Sequence, residues 1–248
     1  MTGHDSIGRT MDATRERYRR AYWEHQLDLI AEMMAPYQRS HGVILDLGCG
    51  IARNARRFAA GMDRYIGLNI DREELAIARA NHPEPQFEFH QGDAMDMRPI
   101  ADQSVDVILL LYVLEHIADP ARLWREIARV LRPGGGVLFV APNLINATSL
   151  VIKFLPDEAR LRLKQLLTGK QEPPDYPIYY RCNTVAQMDR MAAQVGMVRD
   201  RLEMASSLGY LFAYPGFFAW HRLMDRATAI GGFRRFREII FATYRKTA

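Results

Sequence analysis

The residues with the plainest chemical purpose are Asp46-Leu47-Gly48-Cys49-Gly50, which complete an apolar run that begins at Val43. Two glycines one residue apart let the backbone turn tightly and come close to a ligand at the start of the next helix. The turn alone does not name that ligand. A dinucleotide fingerprint needs glycine at position 53, where the chain has Arg53, and a phosphate loop needs Gly-Lys-Ser/Thr, which is absent. Glu115 and His116 follow a long apolar run and offer a carboxylate beside an imidazole, a pairing suited to moving a proton near neutral pH. Further along, Tyr176-Pro177-Ile178-Tyr179-Tyr180-Arg181 either lines an acceptor pocket or packs a cap onto the core. Cys49 and Cys182 lie far apart and in no metal spacing, so neither a disulfide framework nor a zinc site is expected.

The elements that must position these residues alternate between strand and helix. A loose tail gives way to a helix over 11–35, with Tyr18, Tyr22, Leu29 and Met33 at helical spacing and Pro36 at its end. Strands are expected over 43–47, 65–69, 87–91, 105–111 and 136–141, with a helix over 51–60 closed by Gly61. Asp71 with Glu74 reads as a capping box, and Asp119-Pro120 as an N-cap followed by an N1 proline. The helix opened by Asp119 turns Leu123, Ile127, Val130 and Leu131 to one face, and Pro133-Gly134-Gly135 breaks it. Such alternation predicts parallel strands joined by right-handed crossovers.

Beyond Pro142 the pattern changes. Residues 143–168 read as an amphipathic helix, 169–177 as a proline-rich loop, and Thr184 with Gln187 as a second capping box on a helix that stops at Gly196. Segments 197–204 and 238–244 alternate as strands, separated by an aromatic stretch over 210–236. The expected division is an N-terminal tail and helix (1–40), a core (41–142), a cap insertion (143–182) and a C-terminal part of the core (183–248) with an aromatic insertion at 205–235.

In this order and spacing, Val43–Gly50 (VILDLGCG), Tyr65–Asp71 (YIGLNID), Gly92-Asp93-Ala94, Asp106–Pro120 (DVILLLYVLEHIADP) and Glu126–Gly135 (EIARVLRPGG) resemble the class I S-adenosylmethionine (SAM)-dependent methyltransferases, particularly those acting on small molecules. The resemblance covers about residues 40–142. It implies a doubly wound, seven-stranded, mostly parallel Rossmann-like sheet, with a helical cap after strand 5 and an insertion between the last two strands. It further implies that Gly48, Cys49 and Gly50 lie against the methionine part of SAM, with Asp46 toward its ammonium. Asp93 would accept from the adenine amino group, Ala94 would donate its backbone N–H to the ring, and Ile70 would pack on the ring face. Leu110 and Leu111 would offer a carbonyl to the ammonium.

The chain departs from the family pattern at two of these places. Where the family carries Asp or Glu for the ribose hydroxyls, this chain has Asn69, an acceptor without a carboxylate's charge. Weaker SAM binding is expected, tightened by Asn69→Asp. Ala52 replaces a third glycine often found there, a milder change.

SAM brings an electrophilic methyl group, so the protein's task is to align an acceptor and exclude water. His116 is the candidate general base for a hydroxyl acceptor, with Glu115 orienting it or pairing with a helix arginine, and Tyr179 as a further pocket residue. The competing reading is that Glu115 and His116 only organise a turn. Metal-binding relatives carry an acidic residue three positions before that glutamate. Here the position is Tyr112, so no metal is expected.

Composition bounds the partners. The 248 residues are 48% hydrophobic and 25% charged, enough for a full core, with a formal charge of +4 and a pI near 9.1. From Arg199 onward nine Lys and Arg face four Asp and Glu. That mild excess does not indicate nucleic acid. The residues after the fourth strand, Leu111-Tyr112-Val113, also differ from the Asn/Asp-Pro-Pro-Tyr of amino-directed nucleic-acid enzymes. The polar N-terminal stretch lacks a signal-peptide core, and the apolar run 107–114 is too short to span a bilayer, so a cytoplasmic protein is expected. O-methylation of a small-molecule, sugar or lipid-like acceptor is the leading expectation. RNA or protein methylation and SAM binding without catalysis are the alternatives. Basic residues and aromatics over 151–167 and 212–220 leave room for a lipophilic acceptor or peripheral membrane contact. Oligomeric state is not legible.

Overall fold

The computed structural model describes residues 13–146, 153–156, 158–159, 162, 176–206, 223, 226–228 and 231–247. Seven strands form one sheet: β1 (Val43–Leu47), β2 (Arg64–Asn69), β3 (Phe87–Gln91), β4 (Val105–Leu111), β5 (Leu131–Pro142), β6 (Met197–Ala205) and β7 (Ile239–Lys246). Their order is β3-β2-β1-β4-β5-β7-β6, and the pairs β3·β2, β2·β1, β1·β4 and β4·β5 are parallel. The order reverses between β1 and β4, which opens a crevice beyond the carboxyl ends of these two strands. All five residues of β1 are buried, as are the first six of β4, the signature of parallel strands covered on both faces.

Contacts divide the chain into two compact units. One comprises Met1–Leu29, Asn143–Pro177 and Met204–Ile239, the other Ile30–Pro142, Ile178–Glu203 and Ile240–Ala248. Every candidate site residue belongs to the second unit.

The helices described in full are α1 (Ala13–Met34), α2 (Ala55–Phe58), α3 (Arg72–Asn81), α4 (Pro120–Val130) and α5 (Val185–Gln194). Asp119 caps α4 by accepting from the Arg122 N–H, with Pro120 at N1. Leu123, Trp124, Ile127 and Val130 are then buried on one face, each stabilising by about 1.5–3 kcal/mol. Trp124 meets Phe139 of β5 at 4.8 Å and Tyr244 of β7 edge-on at 5.1 Å. Lys246 donates to the Ala128 and Leu131 carbonyls and so satisfies the C-terminal end of α4. Thr184 caps α5 by accepting from Gln187 N–H, as its spacing predicts, and Gly196 takes φ +69° just beyond the end.

Four expectations need correction. The helix expected over 51–60 is only the four residues of α2, because Gly50 and Ala52 both take positive φ (52° and 54°) and hold the chain out of helical geometry until Asn54. Pro36 does not end α1 directly, since a 3-10 turn, Ala35–Tyr37, takes it in after the helix stops at Met34. In α1 the buried residues from Leu29 onward are Ile30, Met33 and Met34, while Tyr22 and Leu29 are half-buried. Strand β5 begins at Leu131, before the Pro133-Gly134-Gly135 break. Leu131 pairs with Val105 and the register then shifts, so the glycines form a bulge inside the strand. Most of 143–168, 169–177 and 210–236, including the segments 151–167 and 212–220, lies outside the described residues.

Candidate active site at the strand ends

The turn after β1 is built from backbone constraints. Gly48 (φ +72°) and Gly50 (φ +52°) adopt left-handed conformations that disfavour side chains. The Gly48 and Cys49 N–H groups both donate to the Leu68 carbonyl of β2, at 2.7 and 3.3 Å, which fixes the turn against the neighbouring strand. A Cβ on Gly48 would stand 2.4 Å from Val113 Cγ2, whereas one on Gly50 would meet only Glu74 Oε2, at 3.7 Å. The Cys49 thiol turns inward. It hydrogen-bonds the Gly50 carbonyl and fills the space a Cβ on Gly67 would need, 2.8 Å away. Burial first, then the charge of Asp46, pushes that thiol's pKa up. Cys49 therefore presents backbone, not sulfur, to the crevice.

Beneath the turn, Asp46 is 6% exposed and accepts from the Tyr65 hydroxyl at 2.5 Å. Burial raises its pKa to about 7, partly offset by the Tyr65 hydrogen bond.

At the end of β2, Asn69 is buried, and its side chain is engaged on both sides. Its Oδ1 accepts from the Ile70 N–H at 2.9 Å, and its Nδ2 donates to Glu74 Oε2 at 2.7 Å. Asp71 caps α3 by accepting from the Glu73 and Glu74 N–H groups. The capping box is half made, because the Glu74 carboxylate reaches Asn69 instead of returning to the Asp71 N–H. Ile70 is half-exposed, an apolar side chain free to cover a flat ring.

The next strand end is tied to this one by the Gly92 N–H donating to the Asn69 carbonyl at 3.0 Å. Asp93 is exposed and accepts from the Met95 N–H, while Ala94 is buried behind it. Helix α4 clamps the segment that follows. Glu126 accepts from the Met97 N–H at 2.8 Å, and Arg129 donates to the Met97 and Ile100 carbonyls at 3.0 and 2.9 Å.

Strand β4 ends at Leu110 and Leu111, and Tyr112 then takes φ +57°, a strained conformation for a bulky residue. A 3-10 turn, Leu114–His116, follows and carries both Glu115 and His116. Glu115 is buried, its Oε2 has no hydrogen-bond partner, and desolvation raises its pKa to about 7. Of the two roles expected for Glu115, pairing with a helix arginine is absent among the described residues. Its backbone carbonyl instead accepts from the Tyr179 and Tyr180 N–H groups at 2.8 and 3.2 Å. That brings Tyr179 beside the Glu115–His116 turn, with its ring half-exposed and the Arg181 guanidinium 5.4 Å above it. Among the described residues no group of three or more His, Cys, Asp or Glu could hold a metal. No described helix is long and apolar enough to cross a membrane.

The sequence reading missed four participants: Tyr65 beneath Asp46, Glu74 beside Asn69, Gly67 opposite Cys49, and the Arg129 clamp. Glu74 carries a signal in its spacing from Asp71, but that spacing points to the helix cap.

Comparisons place this arrangement. A family model described as a methyltransferase domain matches residues 45–139. A protein of Mycolicibacterium smegmatis named a probable S-adenosylmethionine-dependent methyltransferase is 34% identical over 125 residues, covering 50% of this chain and 47% of its own. The chain thus spans about half the length of that relative. A ubiquinone biosynthesis O-methyltransferase of Hydrogenovibrio crunogenus is 26% identical over 187 residues, covering 69% of this chain and 74% of its own. Among solved structures, the YcgJ protein of Bacillus subtilis superposes with a TM-score of 0.60 at 18% identity, covering 91% of this chain and 99% of that one. Sheet order, crevice and matched segment agree: residues 45–139 form a methyltransferase domain, carried on the class I fold of the SAM-dependent methyltransferases.

Proposed function

We propose that the chain binds SAM in the crevice beyond β1, β2 and β3 and directs its methyl group to a hydroxyl of a small-molecule acceptor, lipophilic or carbohydrate in character. The observation that carries this reading is the cradle itself. Gly48 and Gly50 leave the turn bare, Asp46 lies buried beneath it, and the half-exposed Ile70 side chain stands beside Asp93 and Ala94 on adjoining strand ends. A cationic amino acid head fits Asp46, and an adenine fits the gap between an apolar face and the exposed Asp93 carboxylate, which has acceptor capacity beyond the Met95 N–H. The glycine turn with the Leu110–Leu111 carbonyls would hold the methionine part.

Bound there, SAM would supply an activated methyl on a sulfonium. The chain's own residues then have three tasks. The strand ends orient the donor, and holding donor and acceptor in line can lower the barrier by about 7–11 kcal/mol. His116 takes the acceptor's proton on an imidazole nitrogen. Glu115 positions the turn that carries His116, and Tyr179, held to the same turn, lines the acceptor side. The O-methyltransferase name of the Hydrogenovibrio relative supports oxygen as the accepting atom.

The test is calorimetric titration with SAM, followed by transfer of labelled methyl to a panel of phenols, alcohols and sugars. SAM binding with label in a hydroxyl compound is the expected result. No SAM binding overturns the reading altogether. Label entering only RNA or protein overturns the acceptor class, and binding without transfer to any acceptor favours a non-catalytic role. His116→Ala is expected to keep SAM affinity and lose turnover. Full turnover in that variant removes His116 as the base.

A further inference from the structure

Asn69 stands where a carboxylate would be expected to receive the two ribose hydroxyls, yet its amide is already committed, with Oδ1 to the Ile70 N–H and Nδ2 to Glu74. One amide in that state has little acceptor capacity left for two hydroxyl donors. The group beside it has that capacity in full. Glu74 lies in the first turn of α3, is half-buried, and makes no ion pair among the described residues. Its carboxylate is located from two directions: Oε2 is 2.7 Å from Asn69 Nδ2 and 3.7 Å from where a Cβ on Gly50 would stand. It therefore bridges the end of β2 and the glycine turn of β1, on the wall of the same crevice. A carboxylate kept partly from water without a cation is costly unless something hydrogen-bonds to it, and only one donor from Asn69 is in place.

We propose that Glu74 is the ribose-binding carboxylate of this chain, with Asn69 as the residue that positions it: the acid has moved from the strand end to the first helical turn, and an amide points it into the crevice. This rests on the SAM reading above and replaces the expectation that Asn69 weakens binding. Glu74 accepts from the ribose 2′ and 3′ hydroxyls through its remaining lone pairs, while the Asn69 N–H holds Oε2 in place. Ordinary helix capping does not require this geometry, because Asp71 already serves the first-turn N–H groups without Glu74 turning back.

The inference makes the two positions interchangeable in a defined way. Asn69→Asp alone places two carboxylates 2.7 Å apart or forces one aside, so it is expected to weaken binding about tenfold where a lone strand-end acid would tighten it. Glu74→Gln alone leaves two amides and is expected to lose about tenfold or more. The double variant Asn69→Asp with Glu74→Gln restores one acid and one amide donor, and is expected to return to within about threefold of the parent chain.

The experiment is calorimetry on the full chain and these variants with S-adenosylhomocysteine and its 2′-deoxy and 3′-deoxy analogues, with melting curves alongside. Wild type binding the parent probe more tightly than either deoxy analogue, Glu74→Gln losing that discrimination, and the double variant regaining it is the expected pattern. A purely helix-capping Glu74 would change melting temperature without changing discrimination between the probes. Tight binding by wild type with unchanged discrimination in Glu74→Gln overturns the inference and leaves the SAM reading intact. Wild type failing to bind any of the probes overturns the SAM reading instead.

Discussion

The Tyr65 hydroxyl donates to the Asp46 carboxylate at 2.5 Å in a wholly buried pair under the glycine turn. Burial holds Asp46 near pKa 7 against an ordinary 3.8, so the native chain keeps a proton that the unfolded chain releases. The sign follows from linkage: this group's contribution to stability is fully present below about pH 4 and is lost as pH rises through about 7. A bound ammonium favours the ionised form. SAM affinity is therefore expected to climb with pH up to about 7 and then level off, read by calorimetry across a pH series. Tyr65→Phe removes the donor, and the midpoint of that climb moves to higher pH. A midpoint unchanged by the substitution would dissociate Asp46 from the ligand.

Glu115 gives a second slope of the same sign, from an ordinary 4.5 to about 7, and its desolvation by burial is the reason. Glu115→Gln removes the ionisation without changing the shape. The variant is expected to flatten the fall in unfolding free energy between pH 5 and pH 8, by about 1–2 kcal/mol at the upper end, read from denaturation curves across that range. An identical pH profile for both proteins would show that this carboxylate does not titrate in that range.

Two small residues in the β1 turn should respond in opposite directions. Gly48→Ala combines left-handed strain with a methyl 2.4 Å from Val113 Cγ2, and is expected to lose about 2–4 kcal/mol together with SAM binding. Ala52 already carries its Cβ at φ +54°. Ala52→Gly relieves that strain and gives up one buried methyl, so it is expected to be neutral or to gain up to about 1 kcal/mol. Urea unfolding measures both, and a large loss at position 52 would contradict the backbone argument.

Among the described residues, Arg129 is the one side chain that holds both Met97 and Ile100 by their carbonyls. Arg129→Ala is expected to cost about 2 kcal/mol and to speed amide exchange over residues 93–100 while leaving β1 protected. Exchange that rises evenly through the sheet would mean that the arginine supports the whole fold and not the adenine-side loop.

The sheet was legible because parallel strands buried on both faces leave long apolar runs, and 43–47 and 105–111 match β1 and β4 to the residue. What escaped were effects of backbone sign and side-chain direction. Ala52 looks like a helix former, but its positive φ delays α2 by several residues. Glu74 occupies the third position after a capping Asp71, and only the fold reveals that it turns toward Asn69. A spacing rule identifies which groups lie one turn apart and is silent on which of two nearby donors a carboxylate selects.

The inward turn of the Cys49 thiol against Gly67 has a practical reach. The second sulfhydryl, Cys182, is fully buried, and burial raises its pKa to about 11. With no thiolate on offer at neutral pH, the native protein should stay silent toward maleimides. A cysteine introduced in place of the half-exposed Ile70 would then be the sole labelling position, a fluorescent reporter fixed on the proposed adenine face with no background to subtract.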